Sequence, residues 1–183
     1  QIFMTMDVQR IYLVGFMGSG KSTLGKALAH SLGWAFVDLD VVFEQRFQSS
    51  IPDFFKQFGE DSFRKAEQEV LHGSFTASNV VFATGGGAPC FFDNMAQMNN
   101  HGTSVYLKLP PAALVKRLHG GKHGRPLVAE KNDDELLAFI ESKLAEREPF
   151  YCQSHLVVED DGTLSVQGYV QLIRSSNILG TPA

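Results

Sequence analysis

The run Gly15-Phe16-Met17-Gly18-Ser19-Gly20-Lys21-Ser22 fits the spacing G-x-x-x-x-G-K-[ST] without a gap. Glycines at these positions let backbone amides curl around phosphate oxygens, an approach that Cβ atoms would block. A helix starting at the end of the run aims its first amides and its positive dipole end at the same anion. Lys21 can reach the β- and γ-phosphates, and the Ser22 hydroxyl can ligate Mg²⁺. A nucleoside triphosphate is the expected ligand. The run alone does not separate a kinase from a GTPase or a motor, but neither N-K-x-D nor D-x-x-G, the marks of guanine-nucleotide switches, occurs in the chain.

Other polar residues supply the rest of a transfer site. Asp38 and Asp40 in Val37-Asp38-Leu39-Asp40 close the second predicted strand, where residues i and i+2 share a face, so two carboxylates meet beside the phosphate loop. One can hold Mg²⁺, directly or through water, and the other can orient an acceptor hydroxyl. Thr84-Gly85-Gly86-Gly87 exposes amides to a polar ligand. Arg64 sits near the start of a predicted helix, within Phe63-Arg64-Lys65-Ala66-Glu67. Arg147 extends the helical stripe Leu137, Ile140, Leu144. An inward-facing guanidinium calls for an anion, although a last-turn position also suits compensation of the helix dipole. Two arginines make a plausible clamp for a substrate carboxylate. Arg117 precedes a glycine-rich segment and Arg125 follows it, and a mobile arginine there can neutralise a phosphoryl group in transfer. His119 and His123 have i,i+4 spacing, but Gly120, Gly121 and Gly124 argue against the helix that a zinc site would need.

Those residues need a frame. Strands are expected at Ile11 to Val14, Ala35 to Val37, Val80 to Ala83, Val105 to Leu109 and Leu156 to Val158. Helices are expected at Lys21 to Leu32, Asp61 to Phe75, Pro111 to Leu118, Asp133 to Glu148 and Thr163 to Arg174. Such alternation predicts an α/β fold with a parallel sheet and helices on both faces. Gln48 to Gly59, rich in phenylalanine, and Gly120 to Lys131, rich in glycine, fit the alternation poorly. They read either as plain surface excursions or as binding insertions near the sheet's carboxyl edge.

At 183 residues the chain has room for one domain with a real core. A net charge of −4 argues against broad, salt-driven binding to nucleic acid, and no apolar run is long enough for a membrane span. Cys90 and Cys152 make neither a disulfide framework nor a CxxC pair, and the first residues lack the pattern of a secretory signal. A reducing cytoplasm is the expected location, with Met4 or Met6 as a candidate native start.

Taken together, GFMGSGKST, VDLD, FRKAE, TGGGA, GRPL and REPFY, in that order, make the chain resemble the shikimate kinase family from about Ile11 to Ile173. The resemblance implies a P-loop NTPase of nucleoside-monophosphate-kinase-like fold, with a five-stranded parallel sheet of order 2-3-1-4-5. It implies one domain over residues 1–183, with a substrate-binding insertion at about 38–64 and a lid at about 117–131. The implied activity is phosphorylation of the shikimate 3-hydroxyl by ATP with Mg²⁺, giving shikimate 3-phosphate and ADP in aromatic biosynthesis.

Residue by residue, the resemblance gives Gly18, Ser19, Gly20, Lys21, Ser22 and Thr23 the ATP phosphates and sets Arg117 near adenine. Ser22 would ligate Mg²⁺, and Asp38 would hold it through its hydration shell. Asp40 would contact the shikimate hydroxyls and accept or orient the reacting proton. Arg64 and Arg147 would bind the carboxylate, while Gly85, Gly86 and Gly87 would border the ring, with the Gly86 amide on its substituents. Lys21 and Arg125 would offset charge developing in transfer, Arg125 from the lid. Partners would be shikimate and ATP, with no nucleic acid or membrane, acting on a cytoplasmic monomer. A gluconate-type kinase and a catalytically silent ATP-binding regulator are the competing readings, separable by acceptor-dependent turnover.

Overall fold

Strand β1 (Arg10–Val14) is the centre of the sheet, and its alternation accounts for a core on each side. Tyr12 and Val14 face one apolar cluster while Ile11 and Leu13 face the other, and all four are fully buried. In this computed structural model, which describes residues 10–120 and 130–179, β1 lies between β3 (Val80–Ala83) and β4 (Thr103–Lys108). Strands β2 (Ala35–Asp38) and β5 (Leu156–Glu159) close the two edges. All pairings are parallel and the order is β2-β3-β1-β4-β5, as the family resemblance implied. Every strand therefore ends on one edge of the sheet, and the loops leaving that edge carry the polar motifs.

Helix α1 (Lys21–Leu32) follows the glycine-rich turn and stops at Gly33, whose left-handed φ of 69° suits a C′ residue. It packs with α7 (Val166–Ser175) over the Ile11 and Leu13 face. The opposite face is covered by α2 (Leu39–Phe47), α3 (Ile51–Gly73), α5 (Pro111–Gly120) and α6 (Asp133–Tyr151), with α4 (Asn94–His101) between β3 and β4. No helix among the described residues is long and apolar enough to cross a membrane.

Two expectations change, and one helix is new. The second strand does not run on to Asp40. It ends at Asp38, whose Oδ1 accepts the Asp40 amide at 2.9 Å and so caps the unexpected helix α2. Gln48 to Gly59 is not an irregular excursion either. Gln48 ends α2, Ser50 caps α3, and the phenylalanines pack as a helical cluster with Phe43 against Phe54 and Phe63 at 5.1 Å between ring centroids. Gly59, at φ 81° and ψ 175°, interrupts α3 in a region open mainly to glycine, and the chain then re-enters helix ahead of Arg64. Finally, α4 forms from the asparagine-rich segment 94–101, where burial of Met95 and Met98 outweighs weak intrinsic propensity. Residues 121–129, most of the expected lid and Arg125 with it, lie outside the described residues.

Candidate active site

The phosphate loop is wound by its glycines. Gly15, Gly18 and Gly20 all have positive φ, and the Ser19 amide donates to the Phe16 carbonyl at 3.1 Å. Lys21 folds back along the loop and donates to the carbonyls of Gly15 at 2.7 Å and Phe16 at 3.0 Å. Its ammonium thus lies over the concavity where phosphate oxygens would sit. Arg117, on α5, donates from Nη1 to the Ser19 carbonyl at 3.0 Å, which brings a second cation to the loop.

Ser22 and Asp38 meet here as the sequence suggests, with Oγ donating to Asp38 Oδ2 at 3.0 Å. The grouping of Asp38 with Asp40 also holds, but for a different reason. The carboxylates belong to a cap and the first turn of its helix, not to alternate residues of a strand. Burial, above all, raises the Asp40 pKa to about 6; the Asp38 charge adds to the rise and Lys21 opposes it.

A cleft of about 430 Å³ joins these groups, lined by Gly18, Gly20, Lys21, Ser22, Thr23, Asp38, Asp40, Thr84, Gly86 and Arg117. A larger hollow, about 530 Å³, lies beside β4, α6 and β5 and shares none of the phosphate-loop residues. Its lining includes Glu141, Glu148, Glu159, Asp160 and Asp161, with Lys108 paired to Glu148 at 2.8 Å, so its charge is wrong for a polyphosphate. Charge, not volume, selects the first cleft.

The loop after β3 forms the floor of that cleft. Thr84 anchors it through a hydroxyl donated to the Leu13 carbonyl at 2.9 Å, and turns at Ala88 and Cys90 fold the glycines back. Arg64 is buried against Gly87, where an added Cβ would come within 2.7 Å of Nη1 and Nη2. Its guanidinium lies over the Phe91 ring at 4.0 Å and donates from Nη1 to Glu67 Oε1 at 2.9 Å. Arg147 arrives from α6 and stands 5.6 Å from the Phe16 ring centroid. The buried stripe of α6 runs through Leu136, Ile140, Leu144 and Tyr151, so Leu136 takes the place the pattern gave to Leu137. Arg147 is half-buried on that stripe, and the charges of both arginines act on Glu67, Cys90 and Tyr151.

Glu67 and Tyr151 sit inside FRKAE and REPFY, yet nothing in residue type or spacing singles them out. Glu67 becomes visible only in three dimensions, with its Oε2 3.0 Å from the position of a Cβ on Gly85 and its pKa raised to about 7 by burial against the opposing pull of Arg64.

The arrangement holds a polyphosphate cradle, paired oxygen donors and a carboxylate around one cleft, with two guanidiniums against the glycine loop that borders it. It suits transfer of a phosphoryl group to a hydroxyl on a small carboxylic acid. Known proteins agree. The shikimate kinase family model matches residues 17–176. Shikimate kinase of Phocaeicola vulgatus is 47% identical over 153 residues, covering 83% of this chain and 87% of that protein. The crystal structure of shikimate kinase from Bacteroides thetaiotaomicron superposes with a TM-score of 0.87 at 42% identity, covering 91% of this chain and 97% of that one. Shikimate kinase from Acinetobacter baumannii, solved in complex with shikimate, gives a TM-score of 0.78 at 35% identity, covering 92% and 94%. On motif order, sheet topology and these matches, the chain belongs to the shikimate kinase family.

Proposed function

We propose that the protein transfers the γ-phosphoryl group of ATP to the 3-hydroxyl of shikimate, producing shikimate 3-phosphate and ADP for aromatic biosynthesis. The observation that carries this reading is Asp40 in the phosphate-loop cleft, with the Arg147 and Arg64 guanidiniums set against Gly86 and Gly87 of the glycine loop that borders it. ATP phosphates occupy the loop from Gly18 to Thr23, and Arg117 lies along the nucleotide. The shikimate carboxylate takes Arg64 and Arg147, and Gly85 to Gly87 border its ring. That pairing turns the acceptor hydroxyl toward Asp40.

The donor set suits Mg²⁺. Ser22 Oγ and Asp38 Oδ2 are hard oxygen ligands 3.0 Å apart beside the phosphate cradle. Mg²⁺ characteristically keeps several waters and takes one or two protein oxygens together with substrate phosphates. Ser22 would hold it directly and Asp38 through water. Bound there, Mg²⁺ supplies positive charge to the β- and γ-phosphate oxygens.

The chain's own groups do the rest. Lys21 offsets charge on the transferring oxygens, and the same role falls to Arg125, which lies outside the described residues. Asp40, when ionised, accepts a hydrogen bond from the acceptor hydroxyl and receives its proton as the new P–O bond forms. The substrate-binding insertion spans about 38–64, from the Asp38 cap to Arg64.

Phosphorus–proton correlation NMR of the product from Mg-ATP and shikimate tests the regiochemistry. Coupling of phosphorus to the proton on C3 supports the reading, and coupling to any other ring proton contradicts it.

A further inference from the structure

Tyr151 has no part in the roles above, yet its side chain is completely buried where the glycine loop meets Arg147. Its hydroxyl donates to the Gly86 carbonyl. The Arg147 guanidinium stands beside the same Gly86, and its positive charge opposes the rise in the Tyr151 pKa caused by burial. A neutral phenol has one proton to give. Gly86 takes it, so the oxygen keeps its negative lone-pair side for the Arg147 charge.

One atom therefore links two parts of the chain that lie 65 residues apart in the Gly86 contact alone. The parts are close neighbours, since a Cβ on Gly86 would stand 3.4 Å from Arg147 Nη1. The anchor is well seated. Arg147 and Tyr151 are one helical turn apart and so share a face of α6. The Tyr151 ring packs on buried Tyr106 at 5.0 Å between centroids. Pro149, between Arg147 and Tyr151, brings no amide hydrogen to the helix, so side-chain packing takes a larger share in fixing this last turn.

We infer that Tyr151 is a positioning residue for recognition of the acceptor's carboxylate, its buried hydroxyl fixing both the Gly86–Gly87 peptide and the Arg147 guanidinium before substrate arrives. This rests on the proposed use of Arg147 to bind that carboxylate. A guanidinium already held against a phenol oxygen by charge loses less rotamer freedom when an anion docks, and a planar peptide tied at its carbonyl presents the next amide in a set direction.

Tyr151→Phe removes the hydroxyl and keeps the ring. The wild-type protein is assayed first with shikimate, and absence of turnover would overturn the proposed function and this inference with it. Given turnover, Tyr151→Phe is expected to raise the shikimate KM about tenfold while the ATP KM stays put, the scale of one lost hydrogen bond. The wild-type preference for shikimate over its carboxamide should shrink by a similar factor, a change that a general loosening of the fold would not produce. An unchanged shikimate KM and an unchanged acid-to-amide preference would overturn the inference. Should the variant not fold, ¹⁵N relaxation of the Arg147 Nε–H group in the wild-type protein decides. A rigid side chain before shikimate is added supports the role, and free rotation contradicts it.

Discussion

Asp40 and Glu67 close on one point from two different helices: Oδ1 of the first and Oε2 of the second lie 2.9 and 3.0 Å from where a Cβ on Gly85 would stand. The missing side chain is what lets half-buried Asp40 and buried Glu67 border one pocket. Gly85→Ala is therefore expected to push at least one carboxylate aside, at about 1–3 kcal/mol of overpacking. Steady-state kinetics should show a large loss of shikimate kcat/KM with a nearly normal ATP KM, and wild-type acceptor kinetics would show that the pocket tolerates the methyl group.

Acidity should affect activity and stability in opposite senses. Asp40, with a pKa raised to about 6, must be ionised to accept the hydroxyl proton, so shikimate kcat/KM should fall as pH drops through 6. For stability the sign reverses. Glu67 is raised from 4.5 to about 7 in the fold, so the native state binds more protons, and this contribution is full below 4.5 and lost as pH rises through 7. Glu67→Gln should flatten the pH dependence of chemical-denaturation stability across that window, and an unaltered slope would contradict the assignment.

Removing either clamp arginine should weaken use of shikimate more than use of ATP. Arg64→Ala or Arg147→Ala is expected to cost about 2–5 kcal/mol in shikimate kcat/KM if each guanidinium meets a desolvated carboxylate. Arg64→Ala should also lower thermal stability, since it leaves Glu67 buried without its 2.9 Å partner. Shikimate kinetics unaffected in both variants would remove the clamp.

Chelation of divalent metal should abolish turnover, and added Mg²⁺ should restore it. Ser22→Ala is expected to raise the Mg²⁺ concentration for half-maximal activity about tenfold or more, because the hydroxyl beside Asp38 is a direct ligand in this account. A Mg²⁺ titration matching the wild type would exclude Ser22 from the metal's shell.

Much of this was legible in the sequence where spacing and local geometry coincide. Gly15 to Ser22 specify their own loop, and the alternation of strand-like and helix-like runs is enough to expect helices on both faces. Helix α2 was hidden because Asp38 serves at once as strand end and helix cap, and a pattern reading assigns such a residue to one element. Helix α4 was hidden because its stability comes from burying two methionines, a tertiary effect. Glu67 and Tyr151 were hidden for a related reason. Their partners Asp40, Gly85 and Gly86 arrive from other elements, and no local period records that meeting.

The most direct test is ADP release from Mg-ATP, measured with no acceptor, with shikimate and with gluconate. Strong release with shikimate alone, accompanied by phosphorylated shikimate as product, is the result predicted here. Release with gluconate and not shikimate, or equal release in all three conditions, would contradict the account.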